Sequence, residues 1–216
     1  MLVSHPKKFI YIKTVKTAGT SIEVALQENC VAPDFEFSRV KTDFIETGYG
    51  IVGARGTGVA GEKWYNHMPA LKIRDALPAG VWSGYFKFCN IRNPWDKTVS
   101  WFHFKHPDIK KRPESEIIQS FRSWLAGQEG RDIGRDTAIY FIGDAPVCDD
   151  YIRYDTLAGD YRRICEKLEI AEHPVPRLKT AQRGQAIPYQ NYYDAAGRDS
   201  IAALYDKEIA HFGWSF

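Results

Sequence analysis

The feature that most constrains this chain is a strand, a turn and a helix in immediate succession near its start. Lys8 to Thr14 is an apolar run with β-branched and aromatic side chains. A turn of small residues follows, ending in Gly19 and Thr20, and Ser21 to Glu28 has helical spacing. A helix start leaves backbone N–H groups without intrahelical acceptors, and its dipole favours negative charge there. Strand, small-residue turn and helix start together make a cradle for an anionic group.

The order of residues in the turn narrows the choice. Loops that hold ATP with magnesium place a lysine directly after the second glycine, as in G-x-x-x-x-G-K-S/T. Here Lys16 precedes Gly19, the one glycine of the turn. The loop suits an anionic group, but not ATP and magnesium in that arrangement.

A chain of 216 residues, 44% hydrophobic and 14% aromatic, can form one large domain or two small ones with a real core. A net charge of +2 is too balanced for nucleic-acid binding by field alone, and leaves room for a locally basic cleft. Cys30, Cys89, Cys148 and Cys165 follow neither metal-ligand spacing nor a secreted disulfide framework. No apolar run approaches the length of a membrane helix. Met1 to Lys8 leads straight into the strand without a secretory core. The expectation is a soluble, cytoplasmic protein without a transmembrane segment.

Further along, Val31 to Glu62 reads as irregular, with Gly48, Gly50, Gly53, Gly56, Gly58 and Gly61 crowding its second half. Such a segment is either a connector or a mobile flap over a site. Met68 to Leu77 has helical spacing and stops at Pro78. Trp82 to Ile91 reads as a buried strand. Asn93-Pro94-Trp95-Asp96 is a helix start, with a good N-cap, proline at the first helical position and an acid in the first turn. That helix should reach about Lys105. Further helices are expected over Glu114 to Ala126, Thr156 to Leu168 and Ala196 to His211, with a short strand over Tyr151 to Tyr154. Strands separated by helical segments predict a single α/β domain over residues 1–216. Its expected form is a P-loop-like three-layer fold, with a central mostly parallel sheet flanked by helices.

The second dense motif is Arg92-Asn-Pro-Trp-Asp-Lys97-Thr-Val-Ser100, at the carboxyl end of the expected strand. Open α/β sheets bind ligands there. Ser100 lies two turns into the helix, roughly on the face of the cap. A guanidinium and a hydroxyl can hold one phosphate from two sides. Alternatively, Arg92 pairs with Asp96 and Ser100 only packs.

Taken together, these stretches resemble the PAPS-dependent sulfotransferases (PAPS is 3′-phosphoadenosine 5′-phosphosulfate). Val15-Lys16-Thr-Ala-Gly-Thr-Ser21 resembles their 5′-phosphosulfate loop, P-K-T-A-G-T-S. Arg92 to Ser100 is similar to their 3′-phosphate motif, R-N-P-W-D-R-x-V-S. Tyr154-Asp155-Thr-Leu-Ala-Gly-Asp160 looks like their Y-E-x-L-x-x-D, and Tyr192-Tyr193 and His211 to Phe216 look like their closing Y-Y and F-G-Y-S-F. The likeness covers nearly the whole chain, least in Val31 to Glu62. It is nearest to the carbohydrate (heparan and chondroitin type) enzymes and their bacterial counterparts. Val15 departs from the family's proline, which would stiffen the approach to the loop. Lys97 replaces an arginine and keeps its charge.

The resemblance implies sulfuryl transfer from PAPS to an acceptor hydroxyl by in-line displacement, with no metal. Lys16 would neutralise charge growing on the leaving phosphate. Thr17, Ala18, Gly19, Thr20 and Ser21 would form the cradle, with backbone and hydroxyl donors, and Gly19 would let the ligand approach closely. Arg92 and Ser100 would hold the 3′-phosphate. Arg177 to Gly184 resembles the late loop that closes over the nucleotide, and Arg183 would add a second cation there unless the loop is only a solvated polar one.

An acceptor hydroxyl needs a base, and histidine is the usual choice near neutral pH. His67 is the leading candidate, because related carbohydrate enzymes place a catalytic histidine between the two PAPS motifs. His103 and His106 are weaker candidates, and Asp34 or Glu36 would serve if the base is a carboxylate. Trp64, Tyr65, Trp82, Trp101 and Phe104 flank the motifs, either as core or as platforms for a sugar face. Lys105 to Arg112 either grips an acidic polysaccharide or forms a solvated face. The expected acceptor is a carbohydrate or glycolipid. The competing readings are an ATP-dependent P-loop kinase and a non-catalytic protein that binds PAP, the adenosine 3′,5′-bisphosphate product.

Overall fold

Short strands near the start of the chain set the frame. A computed structural model describes residues 1–36, 43–56, 58–127, 136–176 and 187–216. Its contacts gather into two compact units, Met1–Ile91 with Asp136–Leu178, and Arg92–Arg135 with Lys179–Phe216.

The first unit holds β1 (Leu2–Ser4), β2 (Phe9–Ile12), α1 (Gly19–Leu26), β3 (Ile45–Thr47), β4 (Gly50–Val52), α2 (Ala70–Ala76), α3 (Ala79–Gly84) and β5 (Phe86–Ile91). The second unit takes α4 (Pro94–Lys105) and α5 (Glu114–Ala126). The first then resumes with α6 (Thr137–Tyr140), the hairpin β6 (Phe141–Ile142) and β7 (Ala145–Pro146), β8 (Asp150–Arg153) and α7 (Leu157–Leu168). The last helices, α8 (Ala195–Leu204) and α9 (Asp206–Phe212), belong to the second unit.

The fold is mixed α/β, and the central sheet corrects the expectation of a mostly parallel one. Among the described residues it has six strands in the order β3-β4-β1-β2-β5-β8. Only β2–β5 and β5–β8 pair in parallel; β1–β2, β1–β4 and β3–β4 are antiparallel. Two sequence signals concealed this half. β1 and β3 are three residues each, too short to show a period. The glycine-rich stretch, read as irregular, contains β3 and β4, and one of its glycines is a pairing device. A Cβ on Gly50 would stand 2.0 Å from the Val3 backbone oxygen, so only glycine lets β4 lie against β1.

All four residues of β2 are buried. Phe9 and Tyr11 face a core built with Ile22, Ala25 and Leu26 of α1 and Tyr161 and Ile164 of α7. By strand alternation Ile10 and Ile12 bury the opposite face. Parallel strands buried on both faces read as continuous apolar runs, which is why Lys8 to Thr14 was legible as a strand.

The second unit has its own core of Trp95, Val99 and Phe102 from α4, Ile117, Phe121 and Trp124 from α5, and Tyr192, Tyr193, Ile201 and Tyr205. The α4 start forms as its residues dictate, with the Asn93 side chain accepting from the Trp95 N–H at 3.1 Å. The expected terminal helix is two helices, because buried Tyr205 leaves helical geometry at φ −115°, ψ 30°. The expected strand from Trp82 begins later, at Phe86, because Trp82 to Gly84 end α3, which starts after Pro78. No helix among the described residues is long and apolar enough to cross a membrane.

Candidate functional site

The turn between β2 and α1 has an unusual backbone. Lys16 and Ala18 both occupy the left-handed region, at φ 58° and 63°. Alternation between left- and right-handed residues turns successive N–H groups toward one concavity, the form of an anion-binding nest. The N–H groups of Thr17, Ala18, Gly19 and Thr20 meet no protein acceptor among the described residues. Those of Ser21 and Ile22 turn back to the Ala18 carbonyl, at 2.9 and 3.3 Å, and begin the helix. The Thr17 hydroxyl faces inward, 2.8 Å from the Thr14 hydroxyl. The cradle at this loop therefore rests on backbone donors of residues 17 to 20 beside Lys16, rather than on the Thr17 hydroxyl or the Ser21 N–H.

Gly19 answers a different need from close ligand approach. A Cβ there would lie 3.0 Å from Lys13 Cγ, 3.2 Å from the Tyr11 hydroxyl and 3.3 Å from the Thr14 carbonyl. The glycine lets the first turn of α1 sit directly on the end of β2.

His67 belongs to the same unit and reaches the same strand end. Its Nδ1 lies 3.2 Å from the Lys13 carbonyl oxygen. A carbonyl only accepts, so Nδ1 carries the proton of the neutral ring and Nε2 keeps its lone pair. Burial, then the positive charge of Lys13, pull its pKa from the ordinary 6.5 to about 4. The imidazole is thus neutral across the physiological range. Its backbone, at φ 61°, is also left-handed. The stretch before it is pinned by hydrogen bonds from the Ala54 N–H to the Trp64 carbonyl and from the Asn66 N–H to the Ala54 carbonyl, each 2.8 Å. The described part of the glycine-rich segment is therefore the hairpin of β3 and β4 followed by a bracket that carries His67.

Beneath the loop lies a buried charge cluster that sequence reasoning did not find. Glu23 of α1, with no exposed surface, pairs with Lys13 at 2.8 Å, Arg55 at 2.7 Å and the Met1 amine at 2.7 Å. Burial alone would raise the Glu23 pKa; the amine, Lys13 and Arg55 outweigh it and hold the carboxylate well below its usual range. Two further residues brace the loop. Asp136, 1% exposed, accepts from the Val15 N–H at 3.1 Å, and buried Asn90 donates to the Thr17 carbonyl at 2.9 Å. Their sequence separations from the loop, 121 and 73 residues, leave no local signal.

In the second unit, Arg92 is buried and its Nε donates to Asp96 at 2.7 Å. The i,i+4 pair weighed from the sequence is formed. Ser100 lies on α4, half-buried, two turns from the cap. Lys97, which stands for the family's arginine, is buried with its ammonium 4.7 Å from the centre of the Tyr205 ring. Arg183 and the loop 177–184 lie outside the described residues.

The weaker base candidates have other surroundings. His103 is in the second core, its Nε2 2.8 Å from the Tyr192 hydroxyl. His106 borders a groove at the end of α4 with Phe102, Arg112 and Trp124. Asp34 and Glu36 are exposed. The Tyr192-Tyr193 pair is core, with the Tyr193 hydroxyl donating to the Trp95 carbonyl at 2.8 Å. Asp160 ties the start of its helix to the end of β8, accepting from the Arg153 N–H at 2.9 Å and the Thr156 hydroxyl at 2.7 Å.

An uncharacterised protein of Archaeoglobus fulgidus is 27% identical over 125 residues, which cover 53% of this chain and 92% of that protein. No family model matches the chain. No solved structure matches it.

Proposed function

We propose that this protein is a sulfotransferase that moves the sulfuryl group of PAPS to an acceptor hydroxyl, with a carbohydrate or glycolipid as the acceptor class. The observation that carries the reading is the loop from Lys16 to Thr20. Four consecutive N–H groups that meet no acceptor among the described residues, at the head of α1 and beside Lys16, suit a phosphosulfate. Sulfuryl transfer needs charge neutralised on the leaving phosphate, which a lysine and backbone donors supply without a metal. Lys16 is assigned that role. His67, neutral and with its Nε2 lone pair available, is assigned the acceptor's proton. Arg92 and Ser100 are assigned the 3′-phosphate on the strength of their motif, and Arg183 a supporting contact to it. The cytoplasm is the proposed compartment.

The test is thermal shift with PAP against ATP–Mg²⁺, followed by transfer from ³⁵S-labelled PAPS to a panel of glycans and glycolipids. PAP at a hundred times its Kd should add about 2.7 kcal/mol of stability. Stabilisation by ATP–Mg²⁺ and none by PAP would favour a kinase and sink the proposal. Stabilisation by PAP without transfer to any acceptor would point to a nucleotide-binding protein that is not an enzyme.

A further inference from the structure

Asn90 sits in β5, fully buried, beside the parallel strand β2 that leads into the loop. Each of its polar atoms reaches that neighbourhood. Nδ2 donates to the Thr17 carbonyl at 2.9 Å, and Oδ1 accepts from the Tyr11 hydroxyl at 2.9 Å. The Asn90 backbone oxygen accepts from the Thr14 hydroxyl at 2.5 Å. That hydroxyl has one proton, so the Thr17 hydroxyl 2.8 Å away must donate to it. The Tyr11 hydroxyl also lies 3.3 Å from the Gly19 carbonyl. Burial pushes the Tyr11 phenol well above its ordinary pKa, so it stays protonated and remains a donor.

The geometry of a trans peptide converts these inward contacts into outward ones. The C=O of one residue and the N–H of the next point in opposite directions across the same plane. Holding the Thr17 carbonyl on Asn90 turns the Ala18 N–H away from the core. Tyr11 acts through Asn90: its one proton goes to Asn90 Oδ1, the nearer of its two acceptors, and fixes the amide that holds the Thr17 carbonyl. Left-handed Lys16 and Ala18 are strained for residues with side chains, and such strain persists only where the surroundings hold it. Val15 gives none of the stiffness that a proline would, and the restraint comes instead from below.

We infer that Asn90, seconded by Tyr11, is a positioning residue that aims the loop's backbone donors at a 5′-phosphate or phosphosulfate group. This rests on the nucleotide reading above, and it separates two ligands. PAP carries phosphates at both ends, whereas adenosine 3′-monophosphate lacks the 5′ group that the loop would hold.

The experiment is calorimetric titration of wild type, Asn90→Leu and Tyr11→Phe with PAP and with adenosine 3′-monophosphate. Leucine keeps the size of Asn90 and removes both side-chain hydrogen bonds, so PAP should bind about tenfold more weakly. Tyr11→Phe removes one donor from a site that stays packed, and about threefold weakening is expected. Adenosine 3′-monophosphate should bind all three proteins alike. Unchanged PAP affinity in the folded variants would overturn the inference, as would an equal loss for both ligands, which marks general damage. Should Asn90→Leu not fold, Tyr11→Phe decides by the same criteria. A wild type that binds no PAP would sink the nucleotide reading and this role with it. A wild type that binds PAP beside variants that bind it equally would sink only the role of Asn90.

Discussion

His67 Nδ1 and the backbone oxygen of Lys13 lie 3.2 Å apart, so the ring that stands as candidate base is fixed by the residue directly after β2, three positions before Lys16. Because the carbonyl fixes the tautomer, any proton taken from an acceptor would go to Nε2. His67→Gln should lower kcat by about 10²- to 10⁴-fold and leave the Kd for PAP within about twofold. With the pKa drawn down to about 4, the acid limb of wild-type kcat should fall near pH 4, not near the ordinary 6.5. Full activity in the variant would remove His67 from the mechanism.

The same shift has a stability consequence of definite sign. Between about pH 6.5 and pH 4 the unfolded chain protonates His67 and the folded chain does not. Stability therefore falls as pH drops through that window, by up to ~3 kcal/mol from this group. Denaturant melts at pH 7 and pH 4.5 should differ less for His67→Gln than for wild type. An equal slope in both would contradict the buried, neutral ring.

Lys16→Ala should reduce sulfuryl transfer by about 10²- to 10³-fold, the scale of losing one charge-stabilising donor in a transition state. PAP affinity should fall far less, since the N–H groups of residues 17 to 20 remain. Single-turnover transfer from ³⁵S-labelled PAPS separates the two effects. Equal losses in binding and rate would assign Lys16 to ground-state binding alone.

Glu23→Gln should be among the most damaging single changes. It leaves Lys13 and Arg55 buried without their carboxylate, and breaking such a cluster costs about 3–5 kcal/mol. Urea unfolding measures it. Adding Lys13→Met should recover part of the loss, because one uncompensated charge goes. A Glu23→Gln variant as stable as wild type would mean that the cluster is hydrated or its charge relieved elsewhere.

Arg92→Ala and Asp96→Asn separate the two readings of their ion pair. If the guanidinium also meets a 3′-phosphate, Arg92→Ala should weaken PAP by about tenfold or more, the worth of one charge-assisted hydrogen bond. Asp96→Asn, which keeps the cation, should weaken it less. Equal and small effects in both variants would leave Arg92 as a partner of Asp96 only.

Much of the helical framework was legible because its signals are local. Asn93 and Pro94 announce α4, and the apolar stripe Ile117, Phe121, Trp124 announces α5 with its observed bounds. The antiparallel half of the sheet was not legible. A three-residue strand such as β1 has no period to detect, and Gly50 reads as loop until Val3 is seen against it. The split of the last helix depends on how Tyr205 packs in the second core, which no neighbour in sequence reveals.

By itself the sequence determined a lysine-bearing turn between a buried strand and a helix, because that pattern of small residues and changing period is read within a dozen positions. Only the tertiary structure decided what the turn does with its atoms. It directs the Thr17 hydroxyl inward and leaves the N–H groups of residues 17 to 20 without an acceptor among the described residues. It brings His67 to Lys13 across 54 residues, Asn90 to Thr17 across 73 and Asp136 to Val15 across 121. The physical reason is that a buried polar group must find a partner wherever the folded chain supplies one. In this loop those partners come from β5, from the bracket after β4 and from the start of α6.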